Sequence, residues 1–235
     1  MNEYPLIDVR DVYKIYGEGQ ENEVRALAGV SMRIMPGEYV AVVGSSGSGK
    51  STLMNILGCL DTPTHGEYWL DGEPVSYLSD GKLAHIRSNQ IGFIFQGFNL
   101  LSSMTALENV ELPLIYQGVG RRRRTELAME ALDRVGLIDR MEHKPSQMSG
   151  GQQQRAAIAR ALVTHPQIIM ADEPTGNLDS RTGEHVMEIL RGLHRDGTTV
   201  ILITHDSEIA RSARRTIRVA DGLIVEDACN GEVTA

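Results

Sequence analysis

Short apolar runs recur along the chain at residues 40–43, 91–95, 167–171 and 199–203, each bounded by polar residues or glycine. Runs this short and this uniformly apolar predict strands covered on both faces, as in a parallel sheet. Segments of helical period separate them. Leu53, Ile56, Leu57 and Leu60 keep one such period, Leu107, Val110 and Leu114 a second, and Leu127, Ala131, Leu132 and Val135 a third. The alternation predicts an α/β fold with a mainly parallel sheet flanked by helices. Residues 97–147, approximately, read as an α-helical subdomain. Residues 6–35 and 66–72 carry alternating, turn-rich patterns that suit a small antiparallel β subdomain. With no internal repeat and no low-complexity linker, the 235 residues read as a single domain, 1–235. The tail after Glu226 is polar and lacks helical period.

Charge and composition narrow the class. No stretch approaches the roughly 18 to 20 apolar residues that a bilayer-spanning helix needs, and Met1-Asn2-Glu3-Tyr4-Pro5 lacks a signal pattern, so the chain is expected to be neither exported nor self-inserted. Cys59 and Cys229 stand far apart without neighbouring metal-ligating residues, which predicts reduced thiols. A net charge of -8 disfavours a surface that tracks a phosphate backbone, and no nucleic-acid partner is expected. The exception is the run Arg121 to Arg124, which reads as a solvated helix start.

Chemistry enters at Gly44-Ser45-Ser46-Gly47-Ser48-Gly49-Lys50-Ser51-Thr52, which follows an apolar strand and opens a helical pattern. That is the context a P-loop requires. The glycines let the backbone wrap around phosphate oxygens, the helix start adds N–H groups and positive dipole, and Lys50 adds a point charge. The hydroxyl of Ser51 is a ligand for magnesium.

A second cluster lies at the end of the strand 167–171. Asp172 and Glu173 sit where open α/β sheets bind ligands. Asp172 is placed to hold a magnesium shell and Glu173 to polarise a water for attack on a γ-phosphate.

Ser149-Gly150-Gly151-Gln152 then precedes an alanine-rich helical segment, with Ser149 as a natural N-cap. It reads equally as an ordinary capped helix or as a second phosphate cradle. One nucleotide needs only one cradle, so the second would serve a nucleotide held by another copy.

The order of these features resembles the ATPase domains of the ABC family: the P-loop, Gln96 after the strand 91–95, the Ser149 signature, Asp172-Glu173, Asn177-Leu178-Asp179 and His205. Met148 departs from the usual Leu before the signature, a swap of similar volume. The segments 55–61, 98–101, 105–110 and 171–179 are similar to the macrolide-efflux (MacB) and lipoprotein-release (LolD) branch.

That resemblance implies a P-loop NTPase core and two copies sandwiching two ATP molecules, with Ser149, Gly151 and Gln152 of one completing the γ-phosphate site of the other. It implies that Tyr16 stacks on adenine and that Gln96 links magnesium and the attacking water to an integral membrane permease. It further implies that Asp179 works across the dimer interface and that His205 contacts the γ-phosphate. The cofactors would be ATP and Mg2+, and the place the cytoplasmic face of the inner membrane. A periplasmic adaptor belongs to the same set of partners. An ATP-dependent regulatory module of the related FtsE type, moving no substrate, uses the same site and stays open.

Overall fold

The computed structural model describes residues 4–230. Its elements, in chain order, are β1 (Ile7–Tyr16), β2 (Val24–Ile34), β3 (Tyr39–Val43), α1 (Lys50–Leu57), β4 (His65–Leu70), β5 (Glu73–Pro74), α2 (Asp80–Gln90), β6 (Ile91–Phe95) and α3 (Ala106–Tyr116). There follow α4 (Arg121–Arg134), α5 (Gly150–Leu162), β7 (Ile168–Asp172), α6 (Ser180–Arg195), β8 (Thr199–Thr204), α7 (Ser207–Ala210), β9 (Arg215–Ala220) and β10 (Leu223–Cys229). They fall into two compact units, the described parts of 1–87 with 199–235, and 88–198.

In the first unit β3 pairs in parallel with β8 on one side and β9 on the other, and β10 adds to β9 antiparallel. Every residue of β3 and β8 is buried. That explains why these two strands are nearly continuous apolar runs instead of alternating ones. The threonine that opens β8 is accommodated because its Oγ1 accepts the Gly37 N–H at 2.9 Å. A separate sheet, ordered β2-β1-β4-β5 and antiparallel throughout, occupies the amino-terminal part. The β9–β10 hairpin turns at Asp221 and Gly222, both at positive φ (49° and 75°). An Asp-Gly pair is well suited to such a turn.

In the second unit β6 and β7 pair in parallel, from Ile91 opposite Ile168 to Phe95 opposite Asp172. Helices α3, α4 and α5 pack on one another and α5 lies on β6. Their buried faces are rotated slightly from the predicted ones. Leu107 and Leu127 are half-buried, while Asn109 and Ala128 are buried. Leu60 falls beyond the end of α1 and is 47% exposed. The run Arg121 to Arg124 opens α4; Arg122 and Arg123 face solvent, and Arg124 turns back to Glu111 at 3.1 Å.

Asn109 shows why periodicity alone misplaces the α3 face. Its amide accepts Leu101 N–H at 2.7 Å and donates to the carbonyls of Leu101 (3.1 Å) and Thr105 (2.9 Å), closing the loop before α3. Apolar pattern cannot announce a polar residue buried because it satisfies a loop. Replacing it with alanine leaves the part-buried Leu101 N–H without its acceptor, at about 1–3 kcal/mol, while the Leu101 and Thr105 carbonyls keep the N–H groups of Met104 and Asn109. Asn109→Ala is expected to destabilise the protein by about 1–3 kcal/mol in denaturant titration, and an Asn109→Ala protein of unchanged stability would contradict this role.

Candidate active site

The first unit builds a loop between β3 and α1. Gly44 leaves β3 where a Cβ would meet the Val219 carbonyl at 2.2 Å and Ser48 Oγ at 2.6 Å, so no larger residue fits. The β9–β10 turn braces the loop from behind, since Gly222 N–H donates to the Ser48 carbonyl at 2.9 Å. Gly49, in the left-handed region, is the N-cap of α1. It offers no side-chain cap, and the first turn holds no acidic residue. The first backbone N–H groups of α1 are therefore left for an external acceptor. Lys50 Nζ donates to the carbonyls of Gly44 (2.8 Å) and Ser45 (2.7 Å), which keeps its ammonium over the loop. Ser48 Oγ is buried without a hydrogen-bond partner. A buried orphan hydroxyl, an uncapped helix start and a lysine folded across the loop together fit a polyphosphate group. Ser51, exposed in the first turn of α1, has the hydroxyl that a phosphate-bound magnesium takes.

His205 shares a cavity of about 460 Å³ with Gly44, Ser45, Arg211 and Arg218. The sequence therefore points to residues of the loop and to His205, and the fold of this unit brings them to one place. His205 does not cap the helix that follows; Asp206 does, accepting the N–H groups of Glu208 and Ile209. Tyr16 ends β1, 43% exposed.

In the second unit, Asp172 is the last residue of β7 and Glu173 the first beyond it. Glu173 has φ 44°, a left-handed conformation that costs a non-glycine residue about 1–2 kcal/mol. Two contacts hold the turn: Gly176 N–H donates to the Glu173 carbonyl at 3.0 Å, and the fully buried Gln154 donates through Nε2 to the Pro174 carbonyl at 2.7 Å. Strain stored at a carboxylate beside a strand end is characteristic of functional positions. Gln96 follows β6, in register beside this turn. Its Nε2 reaches Asn177 Oδ1 at 3.4 Å, and Asn177 Nδ2 donates to the Gln96 carbonyl at 2.9 Å. Asp179 caps α6 by accepting from Thr182 N (3.0 Å) and Oγ1 (2.7 Å), and the Thr182 hydroxyl holds its carboxyl below the usual range.

The Ser149 segment is a capped helix start with more to offer. Ser149 Oγ accepts Gln152 N–H at 3.3 Å while Gln152 Oε1 accepts Ser149 N–H at 2.9 Å, a capping box. Gly151 is required inside the chain, because a Cβ there would meet Thr182 Cγ2 at 2.2 Å. Ser149, Gly151 and Gln152 open onto a cavity of about 320 Å³ shared with Arg155, Arg181 and His185. A cationic recess in front of a helix start suits an anion.

Gln154, the bracing hairpin and the surroundings of Tyr16 are absent from the sequence reading. Asp221-Gly222 between apolar alternations was the available signal for the hairpin. Gln154 stands out only as a polar residue within an alanine-rich helix.

The profile of the ABC transporter family matches residues 27–176. The macrolide export ATP-binding/permease protein MacB of Hyphomonas neptunium is 52% identical over 231 residues, 98% of this chain but 36% of that protein. The chain thus spans about a third of the length of such relatives. An ABC transporter ATP-binding protein of Thermotoga maritima is 53% identical over 219 residues, 93% of both chains. Among solved structures, a dimeric bacterial ABC transporter cassette superposes with a TM-score of 0.88 at 47% identity, covering 96% of this chain and 99% of that one. A second structure, a dimeric post-hydrolysis ATP-binding cassette holding ADP and phosphate, gives 0.88 at 46% identity with the same coverage. The chain belongs to the ABC transporter family, as an ATP-hydrolysing nucleotide-binding cassette similar to those of the macrolide-export branch.

Proposed function

We propose that this cassette works as a pair closing around two ATP molecules and that its closing and opening drive an integral membrane permease. The observation that carries the pairing is that one chain holds two phosphate-ready helix starts, α1 behind Gly44 to Thr52 and α5 behind Ser149. The whole chain, 1–235, is read as one cassette domain with its helical subdomain at about 97–147.

Gly44 to Thr52 hold the phosphates through backbone N–H groups, and Lys50 neutralises their charge. Ser51, Asp172 and Gln96 are the ligands we assign to magnesium, which when bound offsets charge on the phosphate oxygens. Glu173 orients and deprotonates the attacking water. Tyr16 stacks on the base, and His205 contacts the γ-phosphate. Ser149, Gly150, Gly151 and Gln152 of the second copy complete the site, with Asp179 acting across the same interface. Ser149 keeps its hydroxyl hydrogen for this purpose, because the cap uses the oxygen only as an acceptor.

The permease follows from the macrolide-export relatives, which are named as combined ATP-binding and permease proteins. No helix among the described residues is long and apolar enough to cross a membrane. We place the cassette on the cytoplasmic face of the inner membrane, held by that permease, with a periplasmic adaptor on the far side. The cargo is a drug, a peptide or a lipoprotein released from the membrane. Relatives named for macrolide and pyoverdine export favour transport over a regulatory module.

Two substitutions test the division of labour. Lys50→Ala should weaken ATP binding by about 10- to 100-fold, the value of a charge-assisted contact, as read by calorimetry; unchanged affinity would remove Lys50 from the site. Glu173→Gln should keep ATP affinity while turnover falls by about 10²- to 10⁴-fold, the range for a general base. A Glu173→Gln protein that hydrolyses at the native rate would assign the base elsewhere.

A further inference from the structure

Tyr16 is not a lone exposed aromatic. Lys14, two residues earlier on β1 and so on the same face of the strand, places Nζ 5.1 Å from the Tyr16 ring centroid. That ammonium donates to Asp61 Oδ1 at 2.6 Å and to the Thr62 carbonyl at 2.9 Å. The other carboxylate oxygen of Asp61 accepts the Tyr16 hydroxyl at 3.3 Å. The Lys14 side chain is only 13% exposed and that of Asp61 29%, whereas Tyr16 remains 43% exposed. One face of the ring is thus occupied by a cation and its rim is tied down, leaving one face for a ligand.

Asp61 is also fixed to the phosphate side of the same unit. The N–H groups of Leu60 and Asp61 donate to the Asn55 carbonyl within α1, at 2.8 and 3.1 Å. Thr64 N–H donates to the Tyr13 carbonyl at 2.8 Å, and Ile15 N–H to Thr64 Oγ1 at 2.9 Å. The helix whose start carries the phosphate cradle therefore ends in a segment that clamps the strand carrying Tyr16.

We infer that Lys14 and Asp61 are positioning residues for the nucleobase: they hold the Tyr16 ring in its stacking orientation before the nucleotide arrives. This rests on the reading that Tyr16 stacks on the base. A side chain ordered in advance spares the ordering cost otherwise charged to binding, which for one side chain amounts to roughly three- to tenfold in affinity. The effect belongs to recognition of the base and not to the phosphates or the bond that breaks.

The test compares Lys14→Met, Lys14→Arg and Tyr16→Ala in steady-state hydrolysis of ATP, with inorganic tripolyphosphate as a competitor that has no base. Lys14→Met should raise KM for ATP about three- to tenfold with kcat changed less than twofold, leave tripolyphosphate inhibition unchanged, and be largely restored in Lys14→Arg. If Tyr16→Ala raises KM but Lys14→Met does not, the positioning role is wrong and the stacking reading survives. If Lys14→Met weakens ATP and tripolyphosphate equally, the pair supports the cradle and the inference fails. If Tyr16→Ala leaves KM unchanged, the stacking reading falls and this inference with it.

Discussion

An α-helix leaves its first backbone N–H groups without internal partners, and α1 meets that deficit with neither a side-chain cap nor an acidic first turn. The rest of the first unit is arranged around this open end. Parallel strands β8 and β9 flank β3 and fix the point at which the chain leaves the sheet. The Val219 carbonyl demands glycine at 44, and the hairpin turn at Gly222 supports the loop from behind. Lys50 folds over the loop carbonyls, so the positive charge is in place before any anion arrives. A helix start like this has a use only if something negative completes it.

The second unit carries two carboxylates at the end of β7 and a strained turn beside them. Glu173 is held in the left-handed region by a backbone hydrogen bond and by Gln154 from α5. That same helix begins at Ser149, so the signature and the turn after Glu173 share one rigid element. Gln96 and Asn177 join the loop after β6 to the segment between Glu173 and Asp179. Arg160 adds a further tie, donating from the last turns of α5 to the carbonyls of Phe98 and Asn99. A shift of α5 would be felt at Glu173, at the signature and in the loop after Gln96 together. The proposed coupling of a second copy to hydrolysis, and of hydrolysis to a membrane partner, calls for such a shared lever.

Much of this was legible from the residues. The four apolar runs are β3, β6, β7 and β8, because strands covered on both faces need apolar residues at every position. The strand-loop-helix context of Lys50 and the N-cap at Ser149 were equally plain, since both are local. What escaped was non-local or polar. Asn109 is buried to satisfy a loop, β9 buries only Ile217 and Val219 and β10 no residue, and α6 buries Val186, Met187, Leu190 and Leu193 beneath a charged outer face. Gly151 was read for phosphate alone, whereas Thr182 packs where its Cβ would lie. The clamp of Lys14 and Asp61 on Tyr16 joins residues 45 positions apart or more, beyond any periodic signal.

The central claim is that the nucleotide bound by one copy is completed by the Ser149 segment of another, and solution mass measured by light scattering tests it directly. With Glu173→Gln to prevent turnover, saturating ATP and magnesium should convert monomer to a dimer holding two nucleotides. Adding Ser149→Arg should abolish that dimer while each monomer still binds ATP. A monomer at saturating ATP, or a dimer indifferent to Ser149→Arg, would contradict the account.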